Sequence, residues 1–254
     1  MLNLEATSEP VEHPPFRSMA VRSTVAVLSL SADALVSLFL ILALAWRVHL
    51  LNRIRGHLTV SHADLVYSDT LVFLGSRTLL GVFALAAIAF VLWFYRAHQN
   101  LSAFRLEPFE FSHSQAAWSF FIPFVNLVRP YAVMREIWQA SDPTLPRFAT
   151  EPYSSAPVSP LVPTWWVLFI GRGILGWLAF LPVASGKTID TLRAHAYFMQ
   201  AELGVSMIAA AAACSLILLV LSRQNQLGKG MEAVAAYPAA AGDTASDPVP
   251  LIPK

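Results

Sequence analysis

Four apolar stretches constrain this chain more than any other feature. They run about Thr24–Trp46, Leu71–Tyr95, Thr164–Val183 and Leu203–Leu221. At about 1.5 Å rise per residue, each is long enough to cross about 30 Å of hydrocarbon. The first three carry a single charge each (Asp33, Arg77 and Arg172), and the fourth carries none. Burial of all four in a soluble core would need a polar coat. Charged residues are only 13 % of the 254, against about 25 % in an ordinary soluble domain. The expected fold is therefore an all-α integral membrane protein with four transmembrane helices, its membrane domain covering residues 24–222. The flanking tails, 1–23 and the Ala/Pro-rich 223–254, are expected to be disordered.

The first stretch is read as a retained helix. Ala43-Leu44-Ala45 looks like a signal-peptide cleavage site, but the apolar run exceeds the roughly 7–15 residues of such a segment, and Asp33 interrupts it. Trp46, Trp93, Tyr95, Trp165 and Trp166 fall at or near the ends of the stretches, where amphipathic rings favour the headgroup level. Formal net charge is +1, which gives no electrostatic case for nucleic acid. Cys214 has no partner for an internal disulfide.

Outside the stretches, the two tails and the central region hold ten lysines and arginines, against five in the other two loops. The positive-inside rule then places both termini and the central region in the cytoplasm; the expected location is the cytoplasmic (inner) membrane. Arg47, Arg53 and Arg55 in the first loop argue the other way.

The central region breaks the pattern. Ala116–Val128 is apolar but too short to span, and it contains Asn126. Pro123 and Pro130 each remove a backbone donor. A Pro-broken interfacial or re-entrant element over 116–141 is expected, ending in an amphipathic helix at about Tyr131–Ser141. Its apolar face would be Val133, Met134, Ile137 and Trp138, with Arg135 and Glu136 on the wet side. The rival is a fifth full span through Ser119–Met134. Glu151–Pro163 is Pro/Ser-rich and reads as an extended linker. Thr188–Glu202 has helical character and could lie along the membrane surface.

The strings Trp93–Leu101 (WFYRAHQNL), Phe120–Trp138 (FFIPFVNLVRPYAVMREIW) and Thr164-Trp165-Trp166 resemble the bacterial family called domain of unknown function 4328. The resemblance runs from about Ala26 to Arg223. It departs at Ser102–Arg105, where a Leu-Gly pair is expected, and at Gln115–Ser119, where glycines are expected. It implies a multi-pass membrane protein and gives no reaction.

A lone carboxylate in hydrocarbon needs a partner. Asp33 and Arg172 lie at similar depths in stretches that run parallel, so they are expected to face the interior and pair. That pair would fix helix register or hold an ion, a proton or a polar headgroup. Arg77 is nearer a membrane face and would snorkel, held by Asp69, Tyr67 or Ser68. A second group, Arg96, His98, Asn100, Asn126, Arg129, Arg135 and Glu136, brackets the broken element. Asn126 and the arginines could donate to carbonyls freed around the prolines. The group could instead recognise an anionic lipid or a membrane-protein partner at 116–141. His49, His57, His62 and Asp64 read as a solvated loop, so no metal is expected. Gly171, Gly173 and Gly176 with Ala209–Ala213 suggest close packing of the third and fourth stretches.

No catalytic signature is present: no GxSxG, HExxH or P-loop, and no paired-cysteine metal motif. No catalytic residue or cofactor is expected. A non-enzymatic scaffold, sensor or assembly component is the leading expectation. The alternatives are a small transporter or channel subunit using Asp33 and Arg172, and a lipid-modifying enzyme.

Overall fold

The computed structural model describes residues 14–105, 109–145, 152–179 and 188–243. The expectations for residues 1–13, for the end of the third stretch (180–183) and for 244–254 lie outside them. The described chain is all-helical. The long helices are α1 (Ala20–Arg55), α2 (His62–Gln99), α6 (Leu161–Ala179) and α7 (Ile189–Asp243). The short ones between them are α3 (Leu101–Phe104), α4 (His113–Trp118) and α5 (Arg129–Ala140). Four helices are long and apolar enough to cross a membrane.

α1, α2 and α7 run further than the apolar stretches that nucleate them. α2 begins where the Ser61 hydroxyl accepts the Ala63 N–H, with Asp64 in the first turn favouring the positive end of the dipole. α1 ends on Arg53 and Arg55, which favour the negative end. The expected surface helix at 188–202 and the fourth span are one continuous helix. That helix also continues past Leu221 to Asp243, where a disordered tail was expected. Its alanine-rich sequence carries no strong helix breaker before Pro238.

The long helices pack in the order α2, α1, α7, α6; α2 and α6 are set apart along their backbones and meet through side chains, Phe90 with Trp165 and Phe83 with Arg172. Gly75 sets the α1–α2 spacing, because a Cβ there would lie 2.8 Å from Leu40 Cδ2. The third and fourth stretches do pack as expected, as α6 against α7, but Gly171 and Gly173 do not form the seam. A Cβ on Gly171 or Gly173 would meet nothing within 4 Å, and one on Gly176 only Glu202 Cγ at 3.8 Å.

A compact cap closes one end of the bundle. α3, α4 and α5 pack there with the start of α1, the end of α2 and the later part of α7. Asn100 Nδ2 donates to the Arg17 carbonyl and to Gln224 Oε1, both at 3.0 Å, so both tails leave from the same end. Trp93, Trp165 and Trp166 belong to the buried core beneath the cap and are not headgroup anchors. They are buried because the cap covers the ends of α2 and α6. Trp46 is exposed and stacks on His49.

The broken element is broken, and no fifth span forms. α4 starts with a capping box between Ser112 and Gln115. Phe124 takes a left-handed φ of 64°, a conformation that is strained for a bulky residue. A single 3-10 turn, Val125–Leu127, follows before α5, with Pro130 in its first turn. The carbonyls freed here are met by backbone N–H groups and a tryptophan, not by the expected Asn126 side chain or the arginines. The Pro123 and Ile122 carbonyls accept the Val125 and Asn126 N–H groups at 2.7 and 3.0 Å. The Leu127 carbonyl accepts Trp166 Nε1 at 3.2 Å. The expected linker is likewise pinned: Gln139 Nε2 donates to the Ser154 and Ala156 carbonyls.

Candidate functional site

Two polar constellations stand out, one within the bundle and one in the cap. In the bundle, a cavity of about 330 Å³ lies between the four long helices and the broken element. α1 contributes Leu30 and Asp33, and α7 contributes Ser206 and a face of alanines. Aromatic walls come from Phe83 and Phe90 of α2, Phe120 and Phe121 after α4, and Trp165 and Phe169 of α6. At one end, Phe90 and Trp165 meet with ring centroids 5.7 Å apart.

Both predicted charges reach this cavity, but they do not pair. Arg172 Nε donates to Glu202 Oε1 at 3.0 Å, and its guanidinium lies 4.3 Å over the Phe83 ring. Glu202 is the partner because α7 is helical there and carries it into the bundle at Arg172's depth. Sequence reading missed it by placing Thr188–Glu202 on the membrane surface. Asp33 is 3 % exposed, and its Oδ1 has no hydrogen-bond partner. A neighbouring cavity of about 530 Å³ shares Phe83, Phe169 and Arg172 and also takes in Asn126 and Glu202. The ion pair therefore stands at the wall between two spaces.

Arg77 is not held by Asp69, Tyr67 or Ser68. It is exposed and rests over the Phe73 ring at 5.2 Å. Asp69 is taken by Arg47 at 3.0 Å.

The second predicted group divides. His98 and Glu136 meet in the cap, fully buried and 3 % exposed. Glu136 lies inward on α5, not on its wet side. Glu136 Oε2 takes His98 Nε2 at 3.0 Å. Its Oε1 accepts the Tyr153 hydroxyl at 2.8 Å and the Glu110 N–H at 2.6 Å. His98 Nδ1 meets His113 Nδ1 at 2.8 Å, and His113 Nε2 meets Ser102 Oγ at 3.2 Å. With both rings neutral, the partners order every proton: Ser102 donates to His113, His113 to His98, and His98 to Glu136. Burial, then the adjacent His98, depresses the His113 pKa; Glu136 opposes them.

Asn100 belongs to a separate knot. Gln224 Nε2 donates to the Ala97 carbonyl and Ser141 Oγ at 2.9 and 3.0 Å. Arg105 donates to the Ala140 and Asp142 carbonyls. Arg223 pairs with Asp142. Burial raises the Asp142 carboxyl, but hydrogen bonds from Thr144 and the Arg223 charge outweigh it and hold its pKa low. Arg96, Arg129 and Arg135 stay outside both networks. Arg129 lies over Phe111 at 5.9 Å, and Arg135 reaches Glu110 at 3.7 Å. Among the described residues, no three His, Cys, Asp or Glu side chains gather to hold a metal.

Membrane-length helices capped at one end around a charged cavity define a multi-pass helical membrane protein. The chain belongs to the family described as Domain of unknown function (DUF4328), which matches residues 57–224. Arg172, Glu202 and the cap lie within the match, while α1 and its Asp33 lie outside it. No curated protein and no solved structure matches the chain.

Proposed function

We propose that this is a non-enzymatic protein of the cytoplasmic membrane that admits a small ligand to the cavity at Asp33, as a ligand-responsive sensor or a carrier subunit. The observation that carries this is the unpartnered, buried Asp33 oxygen in a cavity that all four long helices line. Polar groups buried without partners are uncommon and mark places completed by something else. The basic residues counted along the chain favour a cytoplasmic cap. The lipid-enzyme alternative has less support, because Glu136 is buried and already bonded to His98, Tyr153 and the Glu110 N–H.

The test is a thermal-shift screen of small cations, neutral molecules and anions on the purified protein. Compounds that raise Tm in the wild type should lose that effect in Ala87→Phe, which plugs the cavity from an exposed position at its wall. A screen in which no compound separates the two proteins overturns the reading. Flux through proteoliposomes, with and without Asp33→Asn, then separates carrier from sensor.

A second reading, contact with an anionic lipid or a membrane partner at 116–141, is supported by the exposed Trp118, Phe121, Phe124 and Val128 beside Arg129. It predicts anionic phospholipid retained on purification and lost in Arg129→Gln.

A further inference from the structure

The chemistry of the cavity narrows the ligand. We infer that it is a monovalent organic cation, an ammonium group on an apolar body; this rests on the cavity being a ligand site.

Charge decides the sign. The cavity wall carries Asp33 and Arg172, and Glu202 stands behind Arg172. Arg172 is already neutralised by Glu202 at 3.0 Å and stacked on Phe83 at 4.3 Å. An incoming anion would have to break that pair in a medium of low polarity. Asp33 has no hydrogen-bonded counter-ion: Arg172 lies on the same cavity wall but is bonded to Glu202, and Asp33 Oδ1 is without a partner in a residue 3 % exposed. When all three groups are ionised, one carboxylate is in excess, and a single positive charge balances it.

The walls decide the kind of cation. A bare metal ion replaces its hydration shell with about six or more oxygens. Apart from Arg172, the polar side chains lining this cavity are Asp33 and Ser206 alone. Six aromatic side chains make up much of the rest. Ring faces attract ammonium groups, and the attraction is larger where water is excluded. Apolar walls also favour a ligand with a hydrocarbon body, and a volume of about 330 Å³ falls within the range of small-molecule sites, about 300–1,000 Å³.

The test uses benzyltrimethylammonium, its neutral carbon isostere neopentylbenzene, and the anion benzenesulfonate. Binding is measured calorimetrically on the full chain in nanodiscs, with empty discs subtracted. The cation should bind about tenfold or more tighter than its isostere. Asp33→Asn should erase that preference. Glu202→Gln should erase it too, because Arg172 is then released to neutralise Asp33; this variant serves if Asp33→Asn fails to fold. Ala87→Phe should block both the cation and the isostere. Equal binding of cation and isostere, insensitive to Asp33→Asn and Glu202→Gln but blocked by Ala87→Phe, overturns the inference and leaves the cavity reading intact. Preference for benzenesulfonate does the same. Binding of no probe to the wild type overturns the inference, and the wider screen then decides the cavity reading separately.

Discussion

The cap and the middle of the bundle treat buried polar groups in opposite ways. In the cap, Glu136, His98, Gln224, Arg105 and Asp142 are buried and held by several partners each. In the bundle, Asp33 Oδ1 and the hydroxyls of Ser37 and Ser68 are buried with none, whereas at the cap end the unpartnered groups are neutral, the Ser23 hydroxyl and Trp93 Nε1. Their packing differs in kind as well. Burying Val133, Met134 and Ile137 of α5 removes apolar surface from a region with polar surroundings, worth about 1.5–3 kcal/mol for each side chain. Burying Leu40 or Leu203 at membrane depth exchanges lipid contacts for protein contacts and gains far less. The cap is thus built as a rigid plug. The bundle beneath it leaves both space and a buried carboxyl oxygen without a hydrogen-bond partner.

The largest test of that contrast is Glu136→Ala. It strands buried His98 and the Glu110 N–H, removes the bond that the Tyr153 hydroxyl donates, and should cost about 3 kcal/mol. Thermal unfolding in detergent reads this; an unchanged Tm would show that the cap network contributes nothing.

Acid comes next. His113 has a pKa held below its usual 6.5. The folded chain therefore binds fewer protons than the unfolded chain once pH falls beneath that value. Stability should drop from about pH 6.5 downward until His113 itself is protonated. The acid-side decline should be shallower in His113→Gln, and superimposable Tm-against-pH curves would contradict it.

The opposite sign is expected at Asp33. Asp33→Asn removes an ionisable group that is buried without a hydrogen-bond partner on Oδ1, so in the absence of ligand Tm should rise by a few degrees or hold. A fall comparable to that of Glu136→Ala would mean Asp33 is a structural partner after all, and the two regions would no longer differ. Smallest of all is Gly171→Ala. Its Cβ meets nothing within 4 Å, so Tm should be unaffected within about a degree. A clear loss would restore the glycine contact between α6 and α7.

How much of this was legible beforehand follows from which residues act locally. Four helices were readable because about twenty apolar residues in a row have one low-energy solution in lipid. The break at 116–141 was readable because Pro123 and Pro130 act on their own backbone. The site was half legible. Asp33 and Arg172 announced themselves as charges inside apolar runs. Glu202 did not, because it precedes its apolar run and only the continuity of α7 carries it inward. Glu136 was misplaced because periodicity names a wet face relative to α5 alone, and the wall of α2 and the segment around Tyr153 cover that face.

Sequence by itself therefore determined the solvent, the number of long helices and the position of the break, all set by how each segment meets lipid and by its own backbone. Only the tertiary structure decided that Arg172 pairs with Glu202, that Asp33 is left open to a cavity, and that the tryptophans at the ends of α2 and α6 are core. Those outcomes depend on which side chains from distant segments arrive at the same depth, which no single segment encodes.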